Sequence, residues 1–219
     1  MKSKTPGERR EVGTLVCFAL EQEAAPFRRL AVRIPDVKIL VTGIGARNAE
    51  TAVRRFLAQN LARRVFTCGF AGGLNPDLEC GDVVFMTGYP SLEERLVGAD
   101  ARLAMFISAP RIATTVAEKS QLRSRTGADV VEMESEAILA VCREKRIPSA
   151  MVRAISDTAG EDLPLDFNLL SRPDHSLHYG RLMWAIARAP WKIFALIRLH
   201  RKTSYAAQRL ADVLAKAIW

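Results

Sequence analysis

Residues 130–161 read VVEMESEAILAVCREKRIPSAMVRAISDTAGE. The stretch opens on a carboxylate cluster, Glu132-Met133-Glu134-Ser135-Glu136. Ala137, Ile138, Val141 and Cys142 follow at helical spacing, which places Glu134 near a helix N-terminus. The periodic run stops at Arg146-Ile147-Pro148, and 150–155 reads as a buried strand carrying Ser156-Asp157 at its carboxyl end. In open α/β sheets ligands sit outside the carboxyl ends of strands. A lone Asp there reads as a cap and a lone acidic turn as a solvated one. Two such features about one supersecondary unit apart point instead to a pocket.

Working outward, buried-strand patterns recur at Thr14–Ala19, Lys38–Val41, Val65–Phe70, Asp82–Met86 and Arg102–Ser108. Helical patterns run from Glu21 to about Leu30 and from about Arg47 to Leu61. Thr115 and Glu118, three apart, predict a capping box opening a helix to about Ser124. Strands alternating with helices predict an α/β sheet covered on both faces. Ala71-Gly72-Gly73 reads as a turn after the third strand. Gly43-Ile44-Gly45 lacks the third glycine of a dinucleotide fingerprint, position 48 being Asn, so a tight strand-to-helix turn is the better reading.

The 219 residues, 49% hydrophobic, suffice for one sizeable core. Cys17, Cys68, Cys80 and Cys142 are far apart with no CxxC pair, so neither a metal nor a disulfide is expected. Reduced core thiols suit a cytoplasm. Thr14–Leu20, stopped by Glu21, does not fit a signal peptide, and no stretch is long and uncharged enough to span a bilayer. Charge is unevenly placed: residues 171–219 hold nine Lys/Arg and two Asp, or +7 of the net +8. All three Trp and all three His lie there too. The expected division is a flexible leader over 1–12, the α/β domain over 13–170, a basic Trp-rich helical insertion over 171–202, and a closing helix over 203–219.

The pairing of Val131-Glu132-Met133-Glu134-Ser135 with Arg153-Ala154-Ile155-Ser156-Asp157-Thr158-Ala159 closely resembles the nucleoside phosphorylase/nucleosidase superfamily, particularly the nucleosidases that cleave methylthioadenosine and adenosylhomocysteine. Cys68–Leu74 with Gly81-Asp82-Val83-Val84, and Phe18–Glu23, are similar to further segments of that family in the same order. The resemblance runs from about Leu15 to Phe167 and resumes in Tyr205–Trp219. It implies a single three-layer α/β/α domain with a mixed central sheet, phosphorylase/hydrolase-like, plus the C-terminal helical extension. It also implies cleavage of a purine N-glycosidic bond without a cofactor or metal, water or phosphate as co-substrate, and a homodimer.

Breaking such a bond makes the ribose cation-like and pushes electrons into the base, so an acid, hydroxyl-orienting groups and a nucleophile are needed. By resemblance Asp157 is the general acid, a role that a desolvated site would favour. Glu134 binds the ribose hydroxyls, as a carboxylate can accept from two vicinal hydroxyls, and Met133 packs on the sugar. Glu23 activates water, which favours hydrolysis because an acid there would repel phosphate. Gly72 permits close backbone approach to the nucleoside. Arg153 positions Glu23 or an anion, or else forms a structural ion pair. Glu132 and Glu136 read as solvated helix-start charges, and Glu21 as a first-turn acid. Two departures stand out. Phe70 replaces a family serine, and Ala109-Pro110-Arg111-Ile112 replaces a segment whose aromatic stacks on the purine. Ile112 can still offer backbone groups to the base, and Arg111 either stacks by its guanidinium plane or points away.

Within 171–202, Lys192, Arg198, Arg201 and Lys202 stand among Trp184, Trp191 and Phe194. That mixture suits an interfacial helix on an anionic membrane, each basic residue contributing on the order of 1 kcal/mol. Packing of the Trp side chains on the body or across a dimer is an equal alternative. The segment from Ser108 to Lys119, Thr126–Ser135 and the Arg172-Pro173-Asp174-His175 tail look most like the hopanoid-associated branch of the superfamily. That branch implies adenine removal from adenosylhopane, a lipid-linked nucleoside, by a cytoplasmic enzyme at the inner membrane face. Two other readings stand beside it. One is a soluble nucleosidase or phosphorylase for a small nucleoside such as methylthioadenosine; the other is a non-catalytic basic module for lipid or nucleic acid. The three acids Asp157, Glu134 and Glu23 argue against the last, and no nucleic-acid partner is expected.

Overall fold

The computed structural model describes residues 10–165 and 192–219. The chain runs β1 (Arg10–Phe18), α1 (Glu21–Ala31), β2 (Val37–Val41), α2 (Ala46–Gln59), β3 (Asn60–Gly73), β4 (Val83–Thr87) and α3 (Pro90–Gly98). It continues with β5 (Arg102–Leu103), β6 (Phe106–Ser108), α4 (Val116–Thr126), β7 (Val130–Glu132), α5 (Ser135–Glu144), β8 (Ser149–Asp157) and α6 (Lys192–Ile218). One mixed sheet orders the strands β2-β1-β3-β8-β4-β5, with β7 paired to the upper part of β3 and β6 to β7. β1, β2, β3 and β8 are mutually parallel, while β4 runs against β8 and β7 against β3.

Strand alternation explains the layers. Val16 and Phe18 of β1, Phe66 and Cys68 of β3, and Ala150, Val152 and Ala154 of β8 face α1, α3 and α6. Leu15, Cys17 and Val65 point the other way, onto Ala49, Val53 and Leu57 of α2 and Ile138, Val141 and Cys142 of α5. The result is the expected three-layer α/β/α arrangement around a mixed sheet. All four cysteines are free thiols.

Several boundaries differ from the sequence reading, each because a partner strand overrides local pattern. Arg10–Val12, expected in the leader, extend β1 by pairing with Asn60–Ala62. The same pairing ends α2 at Gln59, so Asn60 and Leu61 are strand rather than helix. Ala71-Gly72-Gly73 is strand, not turn, because Gly72 and Gly73 pair with Val131 and Val130 of β7. The expected strand 102–108 divides: Arg102–Leu103 pair with β4, whereas Phe106–Ser108 cross to β7. The crossing is held by Ala104 N–H donating to Phe85 O at 3.0 Å and Asp129 N–H to Met105 O at 2.8 Å. The capping box of α4 forms as expected, Thr115 Oγ1 accepting from Glu118 N–H at 3.2 Å.

The division expected at 202/203 falls inside one 27-residue helix, α6. Ala206, Leu210, Ala211, Val213, Leu214, Ala217 and Ile218 are buried against α1, α3 and the sheet. Its N-terminal part carries exposed Ile193, Phe194 and Ile197. Trp184, Trp191 and the first helical stretch of the expected insertion lie outside the described residues.

Candidate active site

The parallel strands bring their carboxyl ends to one edge, where chain turns deliver the acidic residues. Directly after β1, Glu23 occupies the third position of α1 and is only 5% exposed. Its carboxylate accepts Leu20 N–H at 2.9 Å and, from β3, Phe70 N–H at 3.0 Å. A side chain at Gly69 would put Cβ 2.8 Å from Glu23 Oε1, so glycine is required for the strand to approach the acid. Burial pushes Glu23 up to about 7. The Leu20 amide, the Arg153 charge and the Phe70 amide oppose that rise, and the nearby charge of Glu134 adds to it. A carboxylate poised there can take a proton from water near neutral pH.

Glu134 is the N-cap of α5, half-buried, and Oε1 accepts Gly45 N–H at 3.2 Å. The Gly43-Ile44-Gly45 turn is therefore part of the site rather than a mere connector. Its two glycines have φ of 83° and 94°, a region costly for other residues. Met133, the expected sugar contact, is half-buried beside Glu134 at the β7–α5 junction.

Glu132 is not a solvated charge. It is 4% exposed and accepts Glu134 N–H at 2.9 Å, Ser135 N–H at 2.7 Å and the Ser108 hydroxyl. Arg153 supplies the counter-charge, with Nη2 3.2 Å from Glu132 Oε2 and 2.6 Å from Ser135 Oγ, while Nη1 donates to Thr67 O at 2.8 Å. Burial alone would raise the Glu132 carboxyl; Arg153 and these hydrogen bonds outweigh it and hold it below its ordinary value. The structural ion pair expected for Arg153 is formed, with Glu132 as its partner. Glu136 is exposed and paired with Arg143.

Asp157 ends β8, nearly buried, opposite Gly72 of β3 at a register shift between Ala71 and Gly72. Such irregularities re-aim side chains at strand ends. A Cβ on Gly72 would meet Val131 Cγ1 at 3.2 Å and Asp157 Oδ2 at 3.4 Å, so this glycine sits directly against the acid. Ser156 Oγ donates to Asp157 Oδ1 at 2.6 Å. Lys119 Nζ lies 2.6 Å from Oδ2, with its side chain wholly buried. Lys119 escaped sequence reasoning because a lysine on a polar helix reads as solvated.

Ile112 is half-buried in the segment after β6, which is tied to β7 by Ala109 N–H donating to Glu132 O at 2.8 Å. Arg111 is exposed and paired with Glu118 at 2.9 Å. The ring of Phe70, standing where a family serine was expected, packs on the core facing α1, α3 and α6. Thus Glu23, Glu134, Gly72 and Asp157 lie around the carboxyl ends of the parallel strands, with Arg153 beneath them in β8. Among the described residues no group of three His, Cys, Asp or Glu could hold a metal ion.

Comparison with known proteins identifies the family and the fold. The profile of the phosphorylase superfamily matches residues 21–101 and 91–175. The aminodeoxyfutalosine nucleosidase of Campylobacter jejuni is 27% identical over 154 residues, covering 55% of this chain and 66% of that protein. The 5'-methylthioadenosine/S-adenosylhomocysteine nucleosidase of Marinomonas sp. is 28% identical over 167 residues, covering 60% of this chain and 72% of that protein. Among solved structures, the Neisseria meningitidis 5'-methylthioadenosine/S-adenosylhomocysteine nucleosidase in complex with methylthio-immucillin-A superposes with a TM-score of 0.70 at 20% identity, covering 94% and 98% of the two chains. The futalosine hydrolase of Helicobacter pylori gives 0.70 at 15% identity, covering 95% and 97%. With most of its α/β body matched by the family profile, the chain belongs to the phosphorylase superfamily.

Proposed function

We propose that this protein hydrolyses the N-glycosidic bond of a purine nucleoside, with adenine as the base. The observation that carries the proposal is the placement of Glu23, Glu134 and Asp157 around the carboxyl ends of the parallel strands, with Glu23 pushed up to about 7. In this reading Asp157 protonates the departing base and Glu134 orients the ribose hydroxyls. Glu23 takes a proton from the attacking water. Hydrolysis is favoured over phosphorolysis because Glu23 would repel phosphate, and because Arg153, the buried cation beneath the site, is committed to Glu132. The related nucleosidases named above support the same bond type.

For the substituent on the sugar we propose a lipid, the adenosylhopane of the hopanoid-associated branch. The N-terminal part of α6 supports it: Ile193, Phe194 and Ile197 are exposed, Phe194 at 77%, alongside exposed Arg198 and Arg201. Such a face suits peripheral contact with an anionic membrane. Among the described residues no helix is long and apolar enough to cross one. A homodimer in the cytoplasm, docked on the inner face, completes the proposal.

The test measures free adenine released from methylthioadenosine, adenosylhomocysteine and an adenosyl lipid in anionic vesicles, each with and without phosphate. Release without phosphate, greatest from the lipid, is expected. Strict phosphate dependence would overturn the role of Glu23. Release from the small nucleosides alone would overturn the lipid substituent and leave the bond type standing.

A further inference from the structure

The helix α4 has one buried residue, and that residue is Lys119. An amphipathic helix is ordinarily anchored by apolar side chains, and a buried ammonium is a costly substitute unless each donor is matched. Here each of the three is: Nζ reaches Thr158 O at 2.7 Å, Glu161 O at 2.9 Å and Asp157 Oδ2 at 2.6 Å. A lysine has three donors and no acceptor, so its orientation is fully determined. Two of the partners are carbonyls of the loop that follows Asp157. The Glu161 side chain of that loop is in turn paired with Lys202 of α6. The third partner is the carboxyl expected to give up its proton. A methionine would fill the same volume without this desolvation, so packing alone does not account for a lysine at this position.

We propose that Lys119 is a positioning residue for Asp157 and the cation against which its negative charge develops. This rests on the hydrolysis proposed above. As the glycosidic C–N bond breaks, its electron pair passes to the purine. The proton of the Asp157 carboxyl moves to the purine ring nitrogen, leaving the carboxylate. Lys119 and the Ser156 hydroxyl hold the two oxygens of that carboxylate from opposite sides. The ammonium is fixed beforehand by Thr158 and Glu161, so it needs no reorganisation when the charge appears. Lys119 itself neither gains nor loses a proton in the step.

The test compares two ribosyl donors in the same protein samples. One is methylthioadenosine, whose base must be protonated to leave; the other is 4-nitrophenyl β-ribofuranoside, whose phenolate leaves without protonation. In Lys119→Met, kcat for methylthioadenosine is expected to fall about 10²–10³-fold, as when one preorganised donor is removed. KM should change little and turnover of the nitrophenyl riboside should be nearly unchanged. Lys119→Gln, which keeps a donor without the charge, should fall between. The ratio of the two activities does not depend on how much of a sample is folded, so partial unfolding leaves the comparison valid. Equal loss on both substrates, or no loss on methylthioadenosine, would overturn the proposal. A wild-type protein inactive on every purine nucleoside would instead overturn the hydrolysis on which it rests.

Discussion

Arg153 and Glu132, twenty-one residues apart in sequence, form an ion pair sealed beneath the candidate site, Nη2 lying 3.2 Å from Oε2. Their link reaches Glu134 through its backbone, since Glu132 also accepts the Glu134 and Ser135 amides. The pair thus fixes where α5 begins and where the backbone that carries Glu134 is set.

Removing one partner of such a buried pair typically costs about 3–5 kcal/mol. Arg153→Met is therefore expected to lower unfolding free energy by about that amount in urea melts at pH 7, and Arg153→Met/Glu132→Gln to recover much of it. The Glu132 carboxyl is held below its ordinary value. Its contribution is present above the unfolded value of about 4.5 and is lost as pH falls through the folded one. Melts at pH 7 and at pH 4 should accordingly show a smaller wild-type advantage at the lower pH. An equal advantage at both would count against the pair as the source.

Glu23 carries the opposite sign. Its folded value of about 7 lies above the ordinary 4.5. Its contribution is therefore complete below about pH 4.5 and lost as pH rises through about 7. Glu23→Gln should remove that slope, leaving the variant more stable than wild type at pH 8 by up to about 3 kcal/mol. Turnover should fall about 10²–10⁴-fold. In the wild type, activity that needs the Glu23 carboxylate should rise through pH 7; a profile flat from pH 5 to 8 would exclude it as the base.

Asp157→Asn keeps the volume and can still accept from Ser156 and Lys119, but it removes the charge partner of the buried Lys119 ammonium, so stability should fall in urea melts while circular dichroism without denaturant still shows the folded protein. Adenine release should fall about 10²–10⁴-fold, as expected when a proton donor is removed. A variant with full turnover would end the general-acid assignment.

For Glu134→Gln, the charge-assisted bonds proposed between Glu134 and the ribose hydroxyls would each be worth about 1.5–3 kcal/mol. The expected loss in kcat/KM is about 10–10²-fold at the least. A 2′-deoxy substrate should lose less in the variant than in the wild type. If both substrates lose equally, the carboxylate does not bind the hydroxyls.

What the sequence conveyed and what it did not follow from the range of the interactions involved. β8 and α5 were legible from local pattern, and so was the α4 capping box, because the residues that decide them are neighbours. The placement of Asp157 at a strand end followed directly. The burial of Glu132 was not legible: an acid at a helix start looks solvated until a cation from β8 is seen to cover it. Lys119 was hidden for the same reason, its three acceptors lying 38 to 42 positions away. The short strand β7 has only three residues and no alternation to announce it. Its pairing also turned the expected 71–73 turn into strand. Nor did the charge count reveal that residues 192–202 and the closing helix form one continuous helix.

That continuity in α6 bears on how the molecule is assembled during synthesis. The face of the sheet between α1 and α3 is closed by Ala206–Ile218, and Arg64 of β3 donates to Ile218 O at 3.1 Å. A growing chain can build β1 through β8 but leaves that apolar face uncovered until residue 218 has cleared the ribosome exit tunnel. Long-range closures of this kind slow folding. Ribosome-bound chains arrested with residue 165 just exposed should therefore be cleaved readily by protease and held by chaperones, whereas chains arrested well beyond residue 219 should resist. Early resistance would mean that the sheet closes without its last helix.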